Sequence, residues 1–312
     1  MSQRFLPIVF VLLVTLVAAV FLDPTSTLLG YLRNEPFLNG RSLTAWSAQL
    51  NGTPADNATA IALLTAADKT VAEPLLVALY GQRSTPDAAM QRWTAIELLS
   101  KHAPLETTGQ QALLKALDDA DEHVRSVAIS SLHPAGVPAE QAVPELTRKL
   151  ANPHAVVAAR ALSEYRAAAA PALPELTELL QDENAPSEAR WNAARTIGKI
   201  GPDAASTVPQ LIDELDNPED TIREHAAEAI GDIGPSAAEL GVPALRGVLQ
   251  DPYVKVRRDA VRSLGYIGSA ATAAVDDILP LLSDPEAIVR DAAKAALEKI
   301  APERIPTDAS AQ

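Results

Sequence analysis

The sequence has no cysteine. That excludes thiol nucleophiles, zinc–thiolate sites, disulfides and lipid attachment at an N-terminal cysteine. Aromatic residues are only 4% of 312, whereas 47% are hydrophobic. Any core must therefore be built from Ala, Leu, Ile and Val. No run of basic residues occurs, and 26 Lys and Arg against 40 Asp and Glu leave a net charge of −14. Phosphate recognition needs concentrated positive charge, so nucleic acid is not an expected partner. No stretch alternates polar and apolar residues over a strand's length, so almost no sheet is expected. Also missing are G-x-S-x-G, a Gly-rich phosphate loop and a Walker sequence. No catalytic, cofactor-binding or metal-ligating residue is assigned.

What is present is a period. Arg92, Arg125, Arg190, Arg223, Arg257 and Arg290 are separated by 33, 65, 33, 34 and 33 residues, with Ala158 in the skipped place. The clearest repeat reads DPYVKVRRDAVRSLGYIGSA from Asp251, echoed from Asn217 and Asp284. Asn217, Asp251 and Asp284 are expected N-caps, with Pro218, Pro252 and Pro285 at the first helical position. Val256, Ala260, Val261, Leu264 and Ile267 follow at helical spacing. Gly201, Gly234 and Gly268 end the helices, and Pro202 and Pro235 stop them from resuming. A shorter second helix carries Pro74, Pro144, Pro174, Pro209 or Pro243 in its first turn. One unit is thus a helical hairpin, which buries its apolar stripe only by stacking on its neighbours.

This pattern resembles the HEAT-like repeats of the kind found in phycobilisome lyases. The resemblance covers residues 55–300 and implies an all-α fold, an α-solenoid of about seven hairpins in one elongated domain. The usual proline is missing between Gly109 and Leu114, and Asp276 replaces it in the last full unit. Residues 42–54 read as a capping helix, with Ser42 as N-cap and Leu43, Trp46 and Leu50 on one face. Residues 301–312 read as a disordered tail. The I-G-x-I-G of the repeats follows a helix, so it is a cap and not a dinucleotide site. Deoxyhypusine hydroxylase, an enzyme class with HEAT-like repeats, binds iron through His-Glu pairs. Here the order is reversed, in Glu122-His123 and Glu224-His225.

Residues 1–22 hold the information on compartment. Arg4 is the only charge before Phe5–Leu22, whose 18 residues span roughly 27 Å as a helix, close to a bilayer's core. Two readings stand: a membrane anchor with the repeats on the extracytoplasmic side, or a signal peptide cut after Ala19. Residues 23–41 read as a linker.

The arginines are expected to form a structural ladder, each donating to the N-cap Asp or Asn of an adjacent unit. Arg257, Arg258, Lys255 and Arg262, the densest basic cluster, read as a solvated helix face. Glu145, Arg148, Glu175, Glu178, Asp213, Glu214 and Arg246 lie on second helices and are the candidate partner-binding residues. Their mixed signs point to specific polar contacts. The expected function is a non-catalytic scaffold that binds a protein. A lyase-like helper, or an accessory subunit of a larger membrane assembly, is the alternative.

Overall fold

The computed structural model describes residues 23, 26–82, 88–151 and 153–305. Phe5–Leu22, expected as anchor or signal, and residues 306–312 of the expected tail lie outside them. Among the described residues no helix is long and apolar enough to cross a membrane. The chain divides into two compact units, Met1–Val137 and Pro138–Gln312.

In the first unit, the expected linker carries structure of its own. Helix α1 is Thr27–Leu32, and strands β1 (Phe37–Leu38) and β2 (Arg41–Ser42) pair antiparallel, Phe37 with Ser42. Helix α2 is Leu43–Leu50, capped by the Ser42 side chain, which accepts the Ala45 N–H. Trp46 is fully buried and donates from Nε1 to the Leu38 carbonyl at 3.2 Å. Two hairpins follow: α3 (Pro54–Ala66) with α4 (Lys69–Gly81), and α5 (Ala88–Lys101) with α6 (Thr107–Ala116). Helix α7 is Glu122–Ser131. The missing proline of α6 has a counterpart here. The buried carboxylate of Glu73 accepts the backbone N–H of Glu106 and of Gly109, each at 3.0 Å, and so caps the helix from the preceding hairpin.

The second unit begins with α8 (Ala139–Arg148). First helices α9 (Ala155–Tyr165), α11 (Ser187–Ile200), α13 (Asp220–Ile233), α15 (Val254–Ile267) and α17 (Ala287–Ile300) pack side by side. The second helices between them are α10 (Leu173–Gln181), α12 (Val208–Asp213), α14 (Ala238–Gly247) and α16 (Val275–Ile278). Short 3-10 segments join first to second helices, as in Gly201–Thr207 and Gly268–Ala274. Gly201, Gly234 and Gly268 stand at the junctions with φ of 80°, 77° and 72°, a conformation that L side chains avoid. The chain thus turns at the expected glycines, but winds on as 3-10 helix instead of stopping. Pro174 and Pro209 are second residues of their helices, while Pro144 and Pro243 sit deeper, beyond the expected first turn.

The first helices touch through small residues. A Cβ on Gly231 would lie 2.5 Å from the Ser263 Cα, and one on Gly198 would lie 2.8 Å from the Ala229 Cα. Gly265 occupies the same place in α15 and faces Ala296. In α17 that place holds Glu298, which is exposed. With few aromatics, close backbone approach is how Ala and Ile fill this core.

The expected N-caps are corrected. Helices α13, α15 and α17 start three residues after Asn217, Asp251 and Asp284. These side chains instead accept the N–H two residues on, at 2.9, 2.7 and 2.9 Å, closing Asx turns that hold the loop before each helix. The Asx turn places the proline outside the helix. In the tail, Pro302–Arg304 forms a 3-10 turn, and Arg304 donates to Asp276 at 2.7 Å.

Candidate interaction surface

The ladder arginines lie near the N-terminal ends of the first helices, Arg92 as fifth residue and the others as fourth, and tie loops together. Arg223 donates from Nε and Nη2 to both oxygens of Asp251, at 2.9 and 3.1 Å, and from Nη1 to the Asn217 carbonyl at 2.8 Å. Arg257 joins Asp284 and the Asp251 carbonyl in the same way. Each guanidinium therefore links the loop before its own helix to the loop one repeat on. In the first unit, Arg92 forks onto Asp119, and Arg125 donates to the Asp119 and Ala120 carbonyls. Arg290 donates to the carbonyls of Asp284 and Pro285. Arg190 departs from the pattern: its Nε meets the Leu180 carbonyl, and its Nη2 meets Glu214 at 3.1 Å.

Charge states follow from these contacts. The Asp284 carboxyl is held below its ordinary value, first by the bonds from Arg257 and also by the Glu286 N–H. Burial alone pushes Asp119 up, but bonds from Arg92 and the Asp121 N–H outweigh it and bring it down. The bonds to Asp251 and Asp284 raise Arg223 and Arg257 further above their usual range.

The seven candidate partner-binding residues divide. Glu214 is buried against Arg190 and is corrected to a member of the ladder. Glu145 and Arg148 pair with each other on α8, and Arg246 pairs with Asp277 one repeat on. Glu175, Glu178 and Asp213 are exposed, with no ion pair among the described residues. Both bases being neutralised, the free charge on these second helices is negative, where mixed signs were expected. Glu175 and Glu178 line a cleft of about 230 Å³ together with Leu150, Ala151, Leu179 and Asp182.

Part of the charge on the first helices is paired within the chain. Arg258, expected as part of a solvated face, bridges buried Asp259 at 2.6 Å and buried Glu224 at 3.3 Å. Arg262 also reaches Asp259, at 2.9 Å. His123 meets the Trp93 ring edge-on at 4.9 Å, and His225 stacks on Trp191 at 4.7 Å. Tryptophans directly after ladder arginines, each paired with a later histidine, were a readable signal that the repeat pattern hid. Among the described residues no three His, Asp or Glu side chains form a metal-binding group.

The profile of the family described as HEAT repeats matches residues 143–230 and 208–298. No curated protein matches in sequence. Among solved structures, importin beta is 16% identical, with a TM-score of 0.59 over 86% of this chain and 41% of that one. Kap95p, in a structure with RanGDP, is 14% identical, with a TM-score of 0.57 over 82% and 40% of the two chains. The chain spans about 40% of the length of these proteins, and the likeness is one of fold. The complex of CpcE and CpcF of phycocyanin lyase from Nostoc sp. PCC7120 is 24% identical over 75% of this chain and 89% of that one, with a TM-score of 0.43. The stacked hairpins, the arginine ties and a profile match spanning residues 143–298, half of the 312, agree: this chain belongs to the HEAT-repeat family.

Proposed function

We propose that this protein is a non-catalytic interaction scaffold that binds a protein partner on the second helices of residues 138–312. The observation that carries this reading is the row of exposed carboxylates Glu175, Glu178 and Asp213, left without ion pairs among the described residues while neighbouring charges are neutralised. A surface of this kind complements basic side chains. The likeness in fold to Kap95p, solved with RanGDP, supports a protein-binding role. The proposal includes a membrane tether. Phe5–Leu22 holds the chain in a bilayer, with the repeats on the extracytoplasmic side, and this rests on the length and flanking charge of that run.

Photo-crosslinking tests the scaffold. A crosslinker placed at Glu175 or Asp213 is expected to trap one and the same protein after mild detergent extraction. A crosslinker at Lys294, exposed on the last first helix, is expected to trap none. A chain that elutes alone and uncrosslinked from all three positions would overturn the reading. For the tether, an alkali-resistant membrane fraction carrying the intact N-terminus supports the anchor. A soluble chain beginning after Ala19 replaces it with a cleaved signal.

A further inference from the structure

Asp119, Asp251 and Asp284 share one arrangement. Each accepts the N–H two residues on, and each accepts a forked guanidinium from a ladder arginine. Asp182 makes the same turn, accepting the Asn184 N–H at 3.0 Å. Its arginine is missing, because the skipped place in α9 holds the fully buried Ala158. Asp182 is exposed and takes no guanidinium among the described residues.

The cleft opens at this gap. Leu150 and Ala151 line one side, Asp182 and Glu178 the other. In the complete rungs, those two loops are the ones that an arginine joins, as Arg257 joins the Asp251 carbonyl to Asp284. Among the described residues no cation lines the space. Arg190 is committed to Leu180 and Glu214, and Lys149 is buried and engaged in its own contacts. At about 230 Å³ the cleft is below the roughly 300–1,000 Å³ of small-molecule sites, so it suits a single side chain.

We propose that this cleft receives an arginine side chain from the protein partner, which supplies the rung that Ala158 omits. The inference rests on the scaffold reading above and adds the chemistry of the contact. The aliphatic stem lies along Leu150 and Leu179, and the guanidinium forks onto Asp182 with Glu178 beside it. Arginine is specified over lysine because the accepting carboxylates elsewhere in the ladder are met by a planar two-pronged donor.

The test uses the full chain and a short uncharged peptide with one central arginine, beside a twin carrying citrulline. Binding is read from amide shifts at Leu150, Leu179 and Asp182. The arginine peptide is expected to bind about tenfold more tightly than its twin, the worth of one charge-assisted contact. Ala158→Arg is expected to close the cleft from within, raising the melting temperature and abolishing peptide binding. Should Ala158→Arg fail to fold, Asp182→Asn with Glu178→Gln changes only exposed groups and is expected to weaken binding about tenfold, again the loss of that contact. Equal binding of both peptides, or peptide binding unchanged in either variant, overturns the proposal. A crosslinked partner that still binds the folded Ala158→Arg protein removes the rung but leaves the scaffold standing.

Discussion

Arg257 and Asp284, 27 residues apart in sequence, meet through two parallel hydrogen bonds of 2.9 and 3.0 Å. The pair is largely buried, with side-chain exposures of 12% and 5%, so solvent screens it little. Arg257→Ala leaves the Asp284 carboxylate without its strongest donor. It is expected to cost about 2 kcal/mol, or roughly 4–8 °C of melting temperature in a unit of this size. Arg257→Lys restores the charge but not the fork and should recover only part of the loss. An unchanged melt in Arg257→Ala would sink the structural role of the ladder.

The same pair sets an acid limit. The folded state lowers the Asp284 carboxyl, and Asp119 likewise. Their contribution is therefore full above the unfolded value of about 3.9, and disappears as the pH falls through the depressed folded value. In urea titrations, the stability gap between the native chain and Asp284→Asn should stay constant from pH 7 to 5 and narrow below pH 4. A gap that closes near pH 6 would assign the effect to another group.

Helix contact depends on Gly231. An added methyl meets the Ser263 Cα at 2.5 Å and its Cβ at 2.4 Å, so α13 and α15 must separate. Gly231→Ala is expected to destabilise by about 1–3 kcal/mol, the range for overpacking. Gly247→Ala is the control, since nothing lies within 4 Å of its added Cβ. Thermal melts of the two variants should move apart, with Gly247→Ala unchanged or slightly more stable.

Glu73→Ala removes the acceptor for the Glu106 and Gly109 N–H groups. Faster hydrogen exchange in the first turn of α6 is expected, with a loss of about 1–3 kcal/mol for the buried donors. Protection that stays as it was would mean that water replaces the carboxylate.

Much of this fold is legible because repetition multiplies weak signals. One arginine in a helix says little, but six at near-constant spacing expose the ladder, and I-G-x-I-G marks both the turn and the close contact. The second helices are harder to read. Their mixture of 3-10 and α turns around Pro174, Pro209 and Leu279 follows from stacking, which local pattern does not encode. The partner of Arg190 was missed because Glu214 lies three residues before the expected Asn217, and Asn217 donates to it at 2.6 Å. The candidate surface was legible as positions on second helices, but not as charge. Glu145 neutralises Arg148, and Asp277, one repeat on, neutralises Arg246, a pairing across repeats that local spacing does not encode.

Glu298 stands exposed where Gly198, Gly231 and Gly265 let the next helix come within contact of their backbones. A further first helix laid against α17 would meet a carboxylate side chain in place of an open groove. A helix packed there could not approach as closely as α13, α15 and α17 approach these three glycines.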